Sequence, residues 1–82
     1  MFMKRLNELD LNEEAIIKKV KAKENIKKRL LDIGIVRGSK IKKTLISPGK
    51  DMIAYLIKGT IVAIRKEDTK DIIVEEISWE LA

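Results

Sequence analysis

Six carboxylates stand in two short clusters, Asp10 with Glu13 and Glu14, and Glu67 with Asp68 and Asp71. They are the side chains best suited to hold a hard cation or to exchange a proton. Neither cluster has the spacing of a calcium loop or its glycine, and both read as solvated turns. The chain has no cysteine and no histidine. Disulfides, thiolate or imidazole metal sites and the usual nucleophile and base pairs are thereby excluded, and with them most enzyme classes. The expectation is a chain with no catalytic residue, no cofactor and no metal ligand set.

The cations carry more information, because they are concentrated. Residues 18–43 hold eleven Lys and Arg against Glu24 and Asp32, a local balance of +9, while residues 1–17 and 44–82 each balance at −2 and the whole chain at +5. Such a segment suits phosphate, an anionic membrane surface or an acidic protein partner; its bland alternative is a set of lysines that solvates exposed faces. Phe2, Tyr55 and Trp79 all lie outside it. Without interleaved aromatics there is no stacking platform for single-stranded nucleic acid, which is not expected as a partner.

These charges must be positioned by a small framework. Eighty-two residues, 45% apolar and 38% charged, suit a single soluble domain over residues 1–82, without a leader or an apolar run of about 18 residues to cross a bilayer. A β-branched run predicts a strand over Ala15 to Lys21. Asn25 is placed to cap a two-turn helix with Ile26, Leu30 and Ile33 on one face, and Gly34 supplies its stop. Strands are expected over Lys40 to Ile46, Met52 to Ile57 and Thr60 to Arg65, the last two joined tightly at Lys58 and Gly59. Ser47 to Asp51, SPGKD, is the strongest turn signal, and a polar turn over Lys66 to Lys70 precedes a last strand in DIIVEEI. Leu30, Ile33, Ile53, Tyr55 and Ile61 are expected in the core. Five short strands and one helix, between the first and second strands, predict a mainly β fold: a small closed or nearly closed barrel that hides its edges.

The ordered set LNELDL, RLLDIGIVRG, SPGKD, KGTIVAIRKED and DIIVEEI resembles the FeoA family over about residues 6–77, with 78–82 as an extension. Two departures stand out: Asn12 where the family usually has glycine after LNELDL, and a loop at Ser47 to Met52 that lacks the family's second proline. The resemblance implies an SH3-like barrel in the cytoplasm, non-catalytic, serving ferrous-iron transport through contact with the cytosolic domain of the FeoB transporter. Transition-metal binding is a family-level association; with neither Cys nor His, no specific iron(II) site is expected in this chain. The exposed charges at matching motif positions, Arg29, Arg37, Lys50 and Arg65, are the expected partner contacts, and the basic segment 18–43 could add a membrane contact. Gly34, Gly38, Pro48 and Gly59 are expected to serve backbone geometry. The same set also resembles the C-terminal domain of DtxR-type metal-dependent repressors, a regulatory module; a preceding helix-turn-helix is not expected for this chain. A small basic nucleic-acid-binding barrel is the remaining alternative.

Overall fold

The computed structural model describes residues 3–46 and 51–77. Among the described residues, six strands are formed: β1 (Met3–Arg5), β2 (Glu14–Val20), β3 (Lys40–Ile46), β4 (Met52–Ile57), β5 (Thr60–Arg65) and β6 (Ile72–Glu76). Two helices, α1 (Glu24–Asp32) and α2 (Lys66–Thr69), and a 3-10 turn at Leu6–Glu8 complete the order. Every pairing is antiparallel, in the order β1-β6-β2-β3-β4-β5.

Among the described residues the ladder does not close, since β1 and β5 have no hydrogen-bonded partner on their outer sides. In place of a closing pair, α2 packs against both β5 and the 3-10 turn. The Tyr55 hydroxyl crosses the interior from β4 and donates to the Leu6 carbonyl of that turn at 3.3 Å. A short element thus links β5 to the turn that follows β1 without closing the barrel. The core alternates as a half-buried sheet must: Ala15 and Ile17, Ile53, Tyr55 and Ile57, Ile72 and Val74 all point inward.

Most expected elements are present, with four corrections. The expected first strand runs Glu14–Val20 and β1 precedes it, so the described residues form six strands and not the expected five. The helix begins one residue before Asn25, after Lys23, whose side chain makes no capping bond; Asn25 lies inside the first turn. The expected polar turn at 66–70 contains the single-turn helix α2. Ile61, expected in the core, is 58% exposed. Its face is set by the hairpin: Ile57 pairs with Thr60, which puts Tyr55 opposite Val62 on the inner face and Leu56 opposite Ile61 on the outer. Leu30, Ile53 and Tyr55 are buried as expected, and Ile33 packs against the same cluster. Ser47 to Lys50 of the expected SPGKD turn, Pro48 and Lys50 among them, and the C-terminal residues including Trp79 lie outside the described residues.

Gly34 ends α1 as expected, at φ +98°. Its N–H donates to Leu31 and that of Ile35 to Leu30, at 3.0 and 2.9 Å, the paired bonds of a Schellman cap. Asn12, the departure from the glycine of the family pattern, takes φ 69°. Asn is among the few residues that enter this region readily, so the substitution preserves the turn.

Candidate partner-binding surface

Helix α1 bears Leu30, with Ile26 and Ile33, toward the core, so its two flanks face outward along opposite grooves. On one flank Arg29 meets Met52, Ala63, Arg65 and Asp68 around a hollow of about 150 Å³. Arg29 and Arg65, distant in sequence, therefore share one recess. On the other flank Lys27 and Leu31 face Lys19 and Val20 of β2 and Val36 and Arg37 of the loop before β3, around a larger hollow of about 510 Å³. Arg37 belongs to this second recess and not to the first. All three arginines are exposed.

The basic segment divides when seen in three dimensions. Lys43 leaves the surface altogether, being 5% exposed. It lies two residues after buried Ile41, on the inward face of β3, and its ammonium donates to the carbonyls of Leu9 at 2.6 Å and Asn7 at 3.0 Å. Burial lowers its pKa, with the nearby Asp10 carboxylate working in the opposite sense. Lys18 is bridged to Glu75 across the β2 and β6 pair at 3.2 Å. Lys19, Lys21, Lys23, Lys27, Lys28, Arg29 and Arg37 remain exposed around α1.

Two of the carboxylates, Glu13 and Glu76, are committed to the fold around Lys4. Lys4 sits between Glu76 at 2.9 Å and Glu13 at 3.3 Å, and Glu13 also accepts the Asp10 N–H at 2.8 Å. Burial pushes the Glu13 carboxyl up, but the Asp10 N–H and Lys4 outweigh it and hold it below the usual carboxylate value. Lys4 is raised, chiefly by its bond to Glu76. Glu13 thus acts as an acceptor inside a turn.

Sequence reasoning singled out the charges of this surface and passed over its apolar part. Leu31 is 55% exposed, outside the Ile26, Leu30 and Ile33 row, and Val20 and Val36 border the same recess. The signal was available at i and i+4: Lys27 and Leu31 form a second stripe on α1 that the core does not use. No helix of the described residues is long and apolar enough to cross a membrane.

Comparison with known proteins places this architecture. Over 74 residues the chain is 36% identical to the Fe(2+) transport protein A/Fe(2+) transporter FeoB fusion protein of Porphyromonas gingivalis, covering 90% of this chain and 9% of that far longer one. The solution structure of the FeoA protein from Chlorobium tepidum superposes with a TM-score of 0.87 at 28% identity, over 95% of this chain and 74% of that one. The fold alone is shared with IdeR of T. acidophilum, at a TM-score of 0.82 and 20% identity, over 94% of this chain and 35% of that one. The family model of the FeoA domain matches residues 4–76, nearly the whole length of the sequence, and this chain belongs to the FeoA domain family.

Proposed function

We propose that this chain is a non-catalytic accessory module of ferrous-iron uptake, acting as one unit in the cytoplasm by contact with the cytosolic part of a FeoB-type transporter. The observation that carries this reading is the Porphyromonas gingivalis fusion, whose name joins a segment similar to this chain to an Fe(2+) transporter in one polypeptide. Covalent joining keeps two partners at high effective concentration, and a separate chain must achieve the same encounter by binding. Arg29, Arg37, Lys50 and Arg65 are the proposed contacts. Such a contact alters transport only by favouring one conformation of the transporter over another, since a partner shifts an equilibrium by its differential affinity for the two states.

The test is iron(II) uptake into anaerobic vesicles that carry the transporter from the same organism, with GTP inside or out and with increasing amounts of this chain. The reading expects a saturable change of uptake rate, of either sign, that diminishes when Arg29 and Arg65 are both changed to Glu. An uptake rate indifferent to the chain at every concentration would refute it.

A further inference from the structure

Exposed cations meet exposed Leu31 and half-buried Val20 and Val36 in the larger recess between α1 and β2. We infer that this groove seats an acidic, amphipathic segment of the transporter's cytosolic part. One or two apolar side chains of the segment rest on Val20, Leu31 and Val36, and flanking carboxylates reach Lys19, Lys27 and Arg37. The inference rests on the accessory reading above and adds to it the place of contact and the chemistry of the partner's segment.

Charge complementarity is the first argument. Lys19, Lys27 and Arg37 form no salt bridge within the described residues, whereas Lys18 at the same groove is already matched by Glu75. The smaller recess, with Arg29 and Arg65, contains its own carboxylate in Asp68. The larger one is therefore the site with the greater unmet demand for anions. The second argument is the floor. Ile35 is buried at 2% exposure while Leu31 beside it is 55% exposed, so the recess offers aliphatic surface to an incoming side chain. A phosphate backbone would engage the cations, leave that floor wet and find no aromatic ring to stack on. A flat anionic bilayer would select a protruding apolar tip, and here the apolar groups line a concavity of about 510 Å³. A peptide that combines carboxylates with aliphatic side chains satisfies both halves of the site.

The groove is also held in shape before anything binds. The Schellman bonds lock the end of α1 to Ile35. The Gly38 N–H donates to the Ile17 carbonyl at 2.7 Å, which ties the Arg37 turn to β2. Binding then costs little ordering of the backbone.

The experiment measures affinity of the full chain for the purified cytosolic part of the transporter, at low and physiological salt. It compares wild type with Lys27→Glu, Arg37→Glu, Leu31→Ser and the control Lys66→Glu, which changes charge equally on α2, away from the groove. All four positions are exposed, and each variant is to be checked for wild-type folding by circular dichroism. Lys27→Glu and Arg37→Glu should each weaken binding about tenfold or more and flatten its salt dependence. Leu31→Ser should weaken it several-fold with the salt dependence unchanged, and Lys66→Glu should stay within about twofold of wild type. Wild-type binding that all three groove variants retain at the control's level would overturn the groove assignment and leave the accessory reading standing. No wild-type binding would overturn both. Groove variants that lose affinity only for RNA or for phosphatidylglycerol vesicles, tested in parallel, would overturn the acidic segment as its occupant.

Discussion

Two polar side chains inside the fold tie the segment from Leu6 to Leu9 to β3 and β4, and both can be tested singly. Tyr55 is fully buried and bonds to Leu6. Burial raises its pKa well above 10.0, with Thr69 acting in the lowering sense. In the unfolded chain the phenol ionises near pH 10 while the folded chain keeps its proton. Above that pH the native state binds more protons, and stability must fall as pH rises. Tyr55→Phe should therefore cost about 1 kcal/mol at neutral pH, for the lost hydrogen bond, yet show a shallower decline above pH 10 in denaturant titrations. Equal slopes in the two proteins would contradict the assignment. Lys43 has the opposite sign: its lowered pKa means that a cost of burying charge is present below the folded value and gone by pH 10.5, so past that point it cannot offset the tyrosine. Its ammonium nonetheless supplies the only side-chain donor to Asn7 and Leu9 carbonyls among the described hydrogen bonds. Lys43→Met should leave both oxygens short of a donor and destabilise by about 1 to 3 kcal/mol. A variant as stable as wild type, by urea midpoint, would show that water replaces the ammonium. In the sequence Lys43 looked like one more cation of a basic run; the inward parity it shares with Ile41 identifies it as structural.

At the scale of elements, legibility followed length and period. β3, β4 and β5 have the bounds expected from their apolar runs, because each run is bounded by a turn signal in the sequence. β1 is only Met3–Arg5 and has no pattern of its own; its pairing with β6 makes it a strand. α2 is four residues, KEDT, too short for a helical period to register. Ile61 was misplaced because its strand is apolar on both faces, so that only the hairpin register decides which face is inside. That hairpin carries a visible cost. Lys58 at φ 51° and Gly59 at φ 79° both take the left-handed region, as a two-residue type I′ turn requires, and a lysine pays for this where asparagine would not. Lys58→Asn is expected to raise stability by about 0.5 to 1 kcal/mol in thermal or urea unfolding. A loss of stability would mean that the lysine side chain contributes something the turn geometry does not reveal.

For the whole molecule, the proposed partner surface was half legible. Clustering of positive charge in residues 18–43 pointed to the surface around α1, and Arg29, Arg37 and Arg65 emerge on the flanks of that helix. Which of them share a recess could not be read, since that depends on how β4, β5 and α2 fold back over one side of the helix and β2 lies along the other. The aliphatic floor escaped notice for the same reason: Val20, Leu31 and Val36 belong to three separate segments. The net charge of +5 would speed encounter with an acidic partner, and with nucleic acid too, so charge alone does not choose between them. The most direct measurement is binding of the full chain to the cytosolic part of the FeoB-type transporter from the same organism, at low and physiological salt, with a short single-stranded RNA as competitor. The account predicts saturable binding to the transporter domain that survives physiological salt and is not displaced by RNA. Binding to RNA alone, lost as salt rises, would contradict it.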